Sequence, residues 1–161
     1  LNKELVFYYL ADKPEYLPTV AHWYYVQWCE QSGRYTLAQI TEKLRNSLSR
    51  DALPKVVIAM MGNQLVAAAE LKIREMDDYP QYEHWVGGVY VDAQMRGMQI
   101  GKRLMSYMIS QAKLAQIKTL YLQTEQLNGG LYRQLGFEPM FETHSTGYHV
   151  LVMKKSLGLS A

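Results

Sequence analysis

The 161 residues contain a single cysteine, Cys29, so no intramolecular disulfide can form. That suits a reducing cytoplasm, with Cys29 serving as a small buried hydrophobe. The four histidines, His22, His84, His144 and His149, match no zinc-ligand spacing with each other or with Cys29, and no metal is expected. No Gly-x-Ser-x-Gly elbow offers a serine nucleophile. Neither sign of charge is in large excess: the net charge is +2, too small to hold nucleic acid electrostatically. No apolar run approaches a membrane span, and Leu1-Asn2-Lys3-Glu4 does not lead into one, so neither a membrane partner nor a leader is expected. Since the chain starts without Met, a trimmed N-terminus is the expectation. Repeats and low-complexity segments are absent. What is present, 48% hydrophobic and 20% charged residues in 18.6 kDa, is the composition of one ordinary soluble domain over residues 1–161.

Hydrophobic periodicity divides the chain into elements. Leu5 to Leu10 reads as a strand, with Asp12 and Pro14 placed to cap and open a helix from Glu15 to Gln31. A second helix starts at Thr36, a candidate N-cap, and runs through Leu37, Ile40, Leu44 and Leu48. Lys55–Met60 and Leu65–Ile73 flank Met61-Gly62-Asn63-Gln64, a hairpin turn by composition. A polar loop, Arg74 to Gln81, carries Glu75, Asp77 and Asp78. A further strand spans Tyr82 to Val91, and apolar residues at Ile100, Leu104, Met105, Met108, Ile109, Ala112 and Ala115 then mark a helix. Thr119–Gln123 is a short strand, Leu131-Tyr132 lies in a short helix ended by Gly136, and two strands follow, Met140–Thr143 and Tyr148–Met153. The expected fold is mixed α/β: a mixed sheet covered on both sides by helices.

Chemistry concentrates between the Tyr82–Val91 strand and the helix after it. The first backbone N–H groups of a helix lack internal partners and carry partial positive charge, so a turn that bares them holds an anion. Here Arg96, Lys102 and Arg103 add full charges, while Gly97 and Gly101 let a ligand reach the main chain. A phosphate or pyrophosphate is indicated. It is not a Walker loop, because Arg103 follows Gly101-Lys102 where Ser or Thr would be needed. A dinucleotide fingerprint is excluded too, since its glycine spacing and its downstream acid are missing.

The stretch Arg96-Gly97-Met98-Gln99-Ile100-Gly101 resembles the Arg/Gln-x-x-Gly-x-Gly/Ala turn of the GCN5-related N-acetyltransferases, matching at Arg96 and Gly101 and departing at Gln99. Asn128-Gly129-Gly130-Leu131-Tyr132-Arg133-Gln134-Leu135-Gly136-Phe137 is similar to that family's A-x-x-L-Y-x-x-L-G-F segment. The resemblance covers roughly Leu53 to Lys155; the competing reading is a generic βα unit with a solvated basic turn. It implies an acyl-CoA N-acyltransferase fold with a mostly antiparallel sheet, and acetyl-CoA as the acyl donor. It also implies cofactor contacts through the main chain of Val89, Tyr90, Val91, Arg96, Gly97, Met98, Gln99, Ile100, Gly101 and Lys102, with Asn128 on pantetheine.

Acetyl transfer to an amine needs a deprotonated amine, a polarised carbonyl and a proton for the thiolate. The resemblance assigns the last to Tyr132, and thirteen positions before Arg96 it points to Glu83 as the base, with Glu70 and His84 in reserve. Strand alternation puts Glu83, Trp85, Gly87 and Val89 on one face and His84, Val86 and Gly88 on the other. The Gly87-Gly88 pair marks a bulge or a close backbone approach, and main-chain N–H groups near Gly88 and Val89 are candidates to hold the carbonyl. For the aromatics of the first helix, core packing is preferred over a role as acceptor wall. The anionic loop favours a small primary amine, such as a polyamine or amino sugar, over an acidic peptide N-terminus. A non-catalytic acyl-CoA-binding module is the reading from another class, and a homodimer is compatible.

Overall fold

A computed structural model describes residues 4–158; Leu1, Asn2 and Lys3, where the leader was sought, lie outside the described residues. Seven strands form one sheet: β1 (Leu5–Tyr9), β2 (Lys55–Met61), β3 (Gln64–Ile73), β4 (His84–Val91), β5 (Thr119–Thr124), β6 (Glu138–Ser145) and β7 (Tyr148–Ser156). Their order across the sheet is β1-β2-β3-β4-β5-β7-β6, and every neighbouring pair is antiparallel except β4 and β5. On one face lie α1 (Leu17–Tyr24) and α2 (Leu37–Arg45), and on the other α3 (Ile100–Leu114) and the short α4 (Gly130–Gln134). This is the expected mixed, mostly antiparallel arrangement.

Local sequence explains most of the elements. Thr36 and Gln39 close a reciprocal capping box: the Gln39 N–H donates to Thr36 Oγ1 at 3.1 Å and the Thr36 N–H donates to Gln39 Oε1 at 2.9 Å. Ile100, Leu104, Met105 and Met108 are fully buried at the α3-sheet contact, each contributing about 1.5–3 kcal/mol. Ala115 falls past the last turn and is exposed. Strands β2 and β3 are buried on both faces, which is why Val56 to Met60 and Leu65 to Leu71 read as continuous apolar runs rather than alternations. Glu70 is the one carboxylate inside those runs, and it is buried.

Three departures from expectation bear on the site. The first helix is not continuous: Pro14–Tyr16 is a 3-10 turn, α1 follows, and Tyr25–Cys29 is a π turn. Asp12 does not cap it; its carboxylate pairs with Arg50 at 3.3 Å. Strand β4 starts at His84, leaving Tyr82 and Glu83 in the preceding loop, where Tyr82 stacks on Tyr79 and packs against Tyr121. Cys29 is buried and free, as expected.

Candidate active site

β4 and β5 run parallel and pair only at Trp85 and Tyr121. Beyond that point Val86–Val91 is bonded only to β3 and Leu122–Thr124 only to β7. A seam therefore opens toward the C-terminal ends of both strands, with unpaired main-chain groups along its sides. At such a change in strand connection, ligands bind beyond the carboxyl ends.

The basic turn stands at the end of the seam. Gly97 has φ +85° and Gln99 φ +60°, and these left-handed residues turn the chain sharply into α3. No side chain caps that helix, so the amides of its first turn face a cleft of about 370 Å³. Val91, Arg96, Gly97, Gln99, Ile100, Gly101 and Lys102, all expected to hold the cofactor, line this cleft together with Leu131 and Gln134 from α4. A Cβ added to Gly97 would meet nothing within 4 Å, and one added to Gly101 would meet only Val91 and Leu131, at 3.7 and 3.8 Å. Open main chain, first-turn amides and two cationic side chains fit a pyrophosphate.

The side chains of the remaining expected contacts do not line this cleft. Met98 is exposed, and the Tyr90 side chain turns to the α1 face, stacking on Trp23 at 5.0 Å with the Arg96 guanidinium 5.4 Å from its ring centroid. Arg96 Nε also donates to the Val91 carbonyl at 3.0 Å. Asn128 Oδ1 accepts the Gly130 N–H at 2.9 Å, a local turn at the start of α4. Tyr132 packs against the α3-side core and lies edge-on to Phe137, with ring centroids 6.3 Å apart. Burial pushes its hydroxyl pKa up.

Gln99 occupies the turn position where the motif carries glycine, and it adopts the left-handed conformation that glycine would take. That conformation costs a side-chain residue on the order of 1 kcal/mol. Gln99→Gly is therefore expected to raise the melting temperature by about 2–4 °C with acetyl-CoA affinity at least maintained, read by thermal denaturation and calorimetry. A lowered melting temperature would show that the glutamine side chain makes a compensating contact.

The strand-face expectation needs correction at Gly88. The β3–β4 register shifts between Ala68 and Glu70, and Gly88 has φ +57°, so the bulge inserts one residue and reverses the alternation after it. Val89 consequently packs into the α3-side core with Val86, not on the face of Trp85. Glu83 precedes β4, half exposed, with its Oε2 3.4 Å from Arg74 Nη2. From there to Val89 is six residues of extended chain, roughly 20 Å.

What gathers beside the bulge is a buried polar group, of which only Glu70 was named as a base, in reserve. A Cβ on Gly88 would lie 2.6 Å from Glu70 Oε2 and 2.7 Å from the Tyr24 hydroxyl. Glu75 reaches back from the acidic loop to Gly87, held by Lys72 Nζ at 3.1 Å and by Gln123 Nε2, which donates to it at 3.0 Å. Lys72 Nζ is 3.9 Å from Glu70. Burial raises the Glu70 pKa above the usual carboxylate range, Glu75 adds to this, and Lys72 opposes it. For Lys72, burial alone would lower the pKa, but Glu70 and Glu75 together drive it up. The sequence signal for Glu70 was a lone charge within an apolar strand; Tyr24, Lys72 and Gln123 gave none.

The family model described as the acetyltransferase (GNAT) family matches residues 17–137, and the chain belongs to this family. The family uses acetyl-CoA as its acyl donor. No curated protein matches the sequence. Among solved structures, the chain is similar to aminoglycoside 6'-acetyltransferase type Ii, with a TM-score of 0.73, 17% identity and coverage of 97% of this chain and 99% of that one. The acetyltransferase yncA from Salmonella typhimurium with its cofactor acetyl-CoA aligns with a TM-score of 0.72, 16% identity and coverage of 98% and 96%. Ribosomal-protein-alanine N-acetyltransferase from Brucella melitensis aligns with a TM-score of 0.71, 21% identity and coverage of 94% and 99%.

Proposed function

We propose that this chain transfers an acetyl group from acetyl-CoA to the primary amine of a small molecule. The observation that carries this is the seam between β4 and β5, with the anion-binding turn at its end and a buried carboxylate at the Gly88 bulge. Fold likeness extends to an aminoglycoside enzyme and to a ribosomal-protein enzyme alike, so the acceptor is inferred from the site itself. The loop after β3 favours a small one. Met76, Tyr79 and Tyr82 pack onto Trp85, Tyr121 and Phe141, covering the sheet face where a long peptide would need an open groove.

Bound acetyl-CoA supplies a thioester whose acyl carbon bonds to the amine nitrogen as its carbon–sulfur bond breaks. Arg96, Lys102 and the first-turn amides of α3 hold the pyrophosphate. Main-chain N–H groups at Gly88 and Val89 are assigned to the acyl oxygen. Glu70 takes one proton from the ammonium, freeing the lone pair, and Tyr132 delivers a proton to the sulfur. Of the two protons left on nitrogen, one restores Tyr132 and the other stays on the amide, and Glu70 releases its proton to solvent, so amide, free CoA and one released proton balance the reaction.

Glu70 replaces Glu83 in the base role because burial raises its pKa and so its proton affinity, whereas Glu83 is half exposed and paired with Arg74. Only ionised Glu70 accepts a proton, so activity falls as pH drops through its raised pKa. That acidic limb is expected to vanish in Glu70→Gln and to persist in Glu83→Gln; the opposite pattern would return the role to Glu83. The function itself is tested by free-CoA release across polyamines, aminoglycosides, amino acids and short peptides. Preference for acidic peptides overturns the small-amine acceptor, and saturable acetyl-CoA binding without turnover favours a non-catalytic module.

A further inference from the structure

Tyr24 belongs to the α1-side core, and its enclosed hydroxyl makes no hydrogen bond of good geometry among the described residues, although it lies near enough to Glu70 to help hold that carboxylate's pKa down. Buried hydroxyls are nearly always paired, so one left open beside a buried carboxylate points to a group that arrives there. It converges with Glu70 Oε2 on the same point above Gly88. The Glu70 side chain retains about 10% exposure.

The charges around it leave one place to fill. Glu75 is engaged by Lys72 at 3.1 Å and by Gln123 at 3.0 Å, while Glu70 has only the more distant Lys72 contact at 3.9 Å. The two carboxylates and the Lys72 ammonium in contact with them carry a net charge of −1, which the more distant Lys43 tempers without touching, so one further cation fits there. Beside Tyr24 stands an aromatic wall: Trp28 is 5.3 Å from the Tyr24 ring, and Trp23 stacks on Tyr90. Such a wall favours a cation carried on an apolar or saturated frame.

We propose that Glu70 and the Tyr24 hydroxyl form the seat of the acceptor's ammonium group, and that this seat selects primary amines whose amino-bearing carbon carries no carboxylate. The inference rests on the transferase reading above. A carboxylate on that carbon would be carried into the neighbourhood of Glu70 and Glu75, where like charges oppose binding. Lys72 offers it no relief, being already held between both acids.

Matched acceptors test the selection: 3-methylbutylamine against leucine, and phenethylamine against phenylalanine, with free-CoA release as readout. The wild-type kcat/KM is expected to favour each amine by about a hundredfold or more. In Glu70→Gln that ratio should contract to within about tenfold, with acetyl-CoA affinity unchanged by calorimetry. Tyr24→Phe removes a hydroxyl that faces Glu70 without a hydrogen bond of good geometry, so the melting temperature should change little, yet KM for the amines should rise about tenfold. Where Glu70→Gln turns over too slowly to read, Tyr24→Phe and calorimetric amine binding to the CoA-saturated variants carry the test. A wild-type ratio near one, a ratio unchanged in Glu70→Gln, or a wild-type KM in Tyr24→Phe overturns the seat while leaving the transferase reading intact. Acetyl-CoA binding with no release for any acceptor overturns both.

Discussion

Replacing Tyr132 with phenylalanine is expected to lower turnover roughly ten- to a thousandfold, with acetyl-CoA affinity within about twofold of wild type. The substitution keeps the ring and its edge-on contact with Phe137, so the core that Tyr132 joins survives. Only the hydroxyl is lost. Burial raises its pKa, so at neutral pH it retains the proton that a leaving thiolate needs. Its place follows from the turn beside it: Leu131, the preceding residue, lines the cleft at the basic turn and lies 3.8 Å from the Cβ position of Gly101. Single-turnover rates and calorimetric affinities separate the two effects. Turnover equal to wild type would reduce Tyr132 to a packing residue.

The parts of the site legible in sequence were those whose geometry is local. Arg96 to Gly101 forms one contiguous turn, so glycine spacing and helix period placed it correctly, and even Gln99, which departs from the motif, adopts glycine's backbone conformation. The Gly87-Gly88 pair likewise marked the bulge that the strands contain. Face assignments beyond Gly88 failed because strict alternation assumes that no residue is inserted, and the bulge inserts one. Glu83 was found by counting from Arg96, but such an offset fixes a position along the chain and not a distance from the chemistry. The Tyr24–Glu70 meeting could not be read at all. It depends on how α1 lies across β3, set by packing of Val20, Ala21 and Tyr24 on Ile58 and Ala68. Glu75 was legible only in part: loop acidity suggested an attraction for amines, whereas the fold spends that charge on Lys72 and Gln123.

Gly88→Ala should cut kcat/KM by about a hundredfold or more while leaving acetyl-CoA affinity near wild type. Two separable penalties meet at this residue. A side chain at φ +57° costs on the order of 1 kcal/mol, and the new Cβ would press on Glu70 Oε2 at 2.6 Å, the Tyr24 hydroxyl at 2.7 Å and Tyr24 Cζ at 3.0 Å. Those atoms must move apart, dissolving the proposed amine seat, whereas the basic turn at Arg96–Lys102 lies beyond the end of β4 and is untouched. Gly33→Ala separates the penalties: its φ is +66°, yet nothing lies within 4 Å of the added Cβ. Both variants should lose about 2–4 °C of melting temperature from the backbone penalty alone, and only Gly88→Ala should lose catalysis. The position of Gly88 in the mechanism would be refuted by equal activity in the two variants. A Gly88→Ala protein that had lost acetyl-CoA binding as well would place the damage in the fold of β4 and not in the acceptor seat.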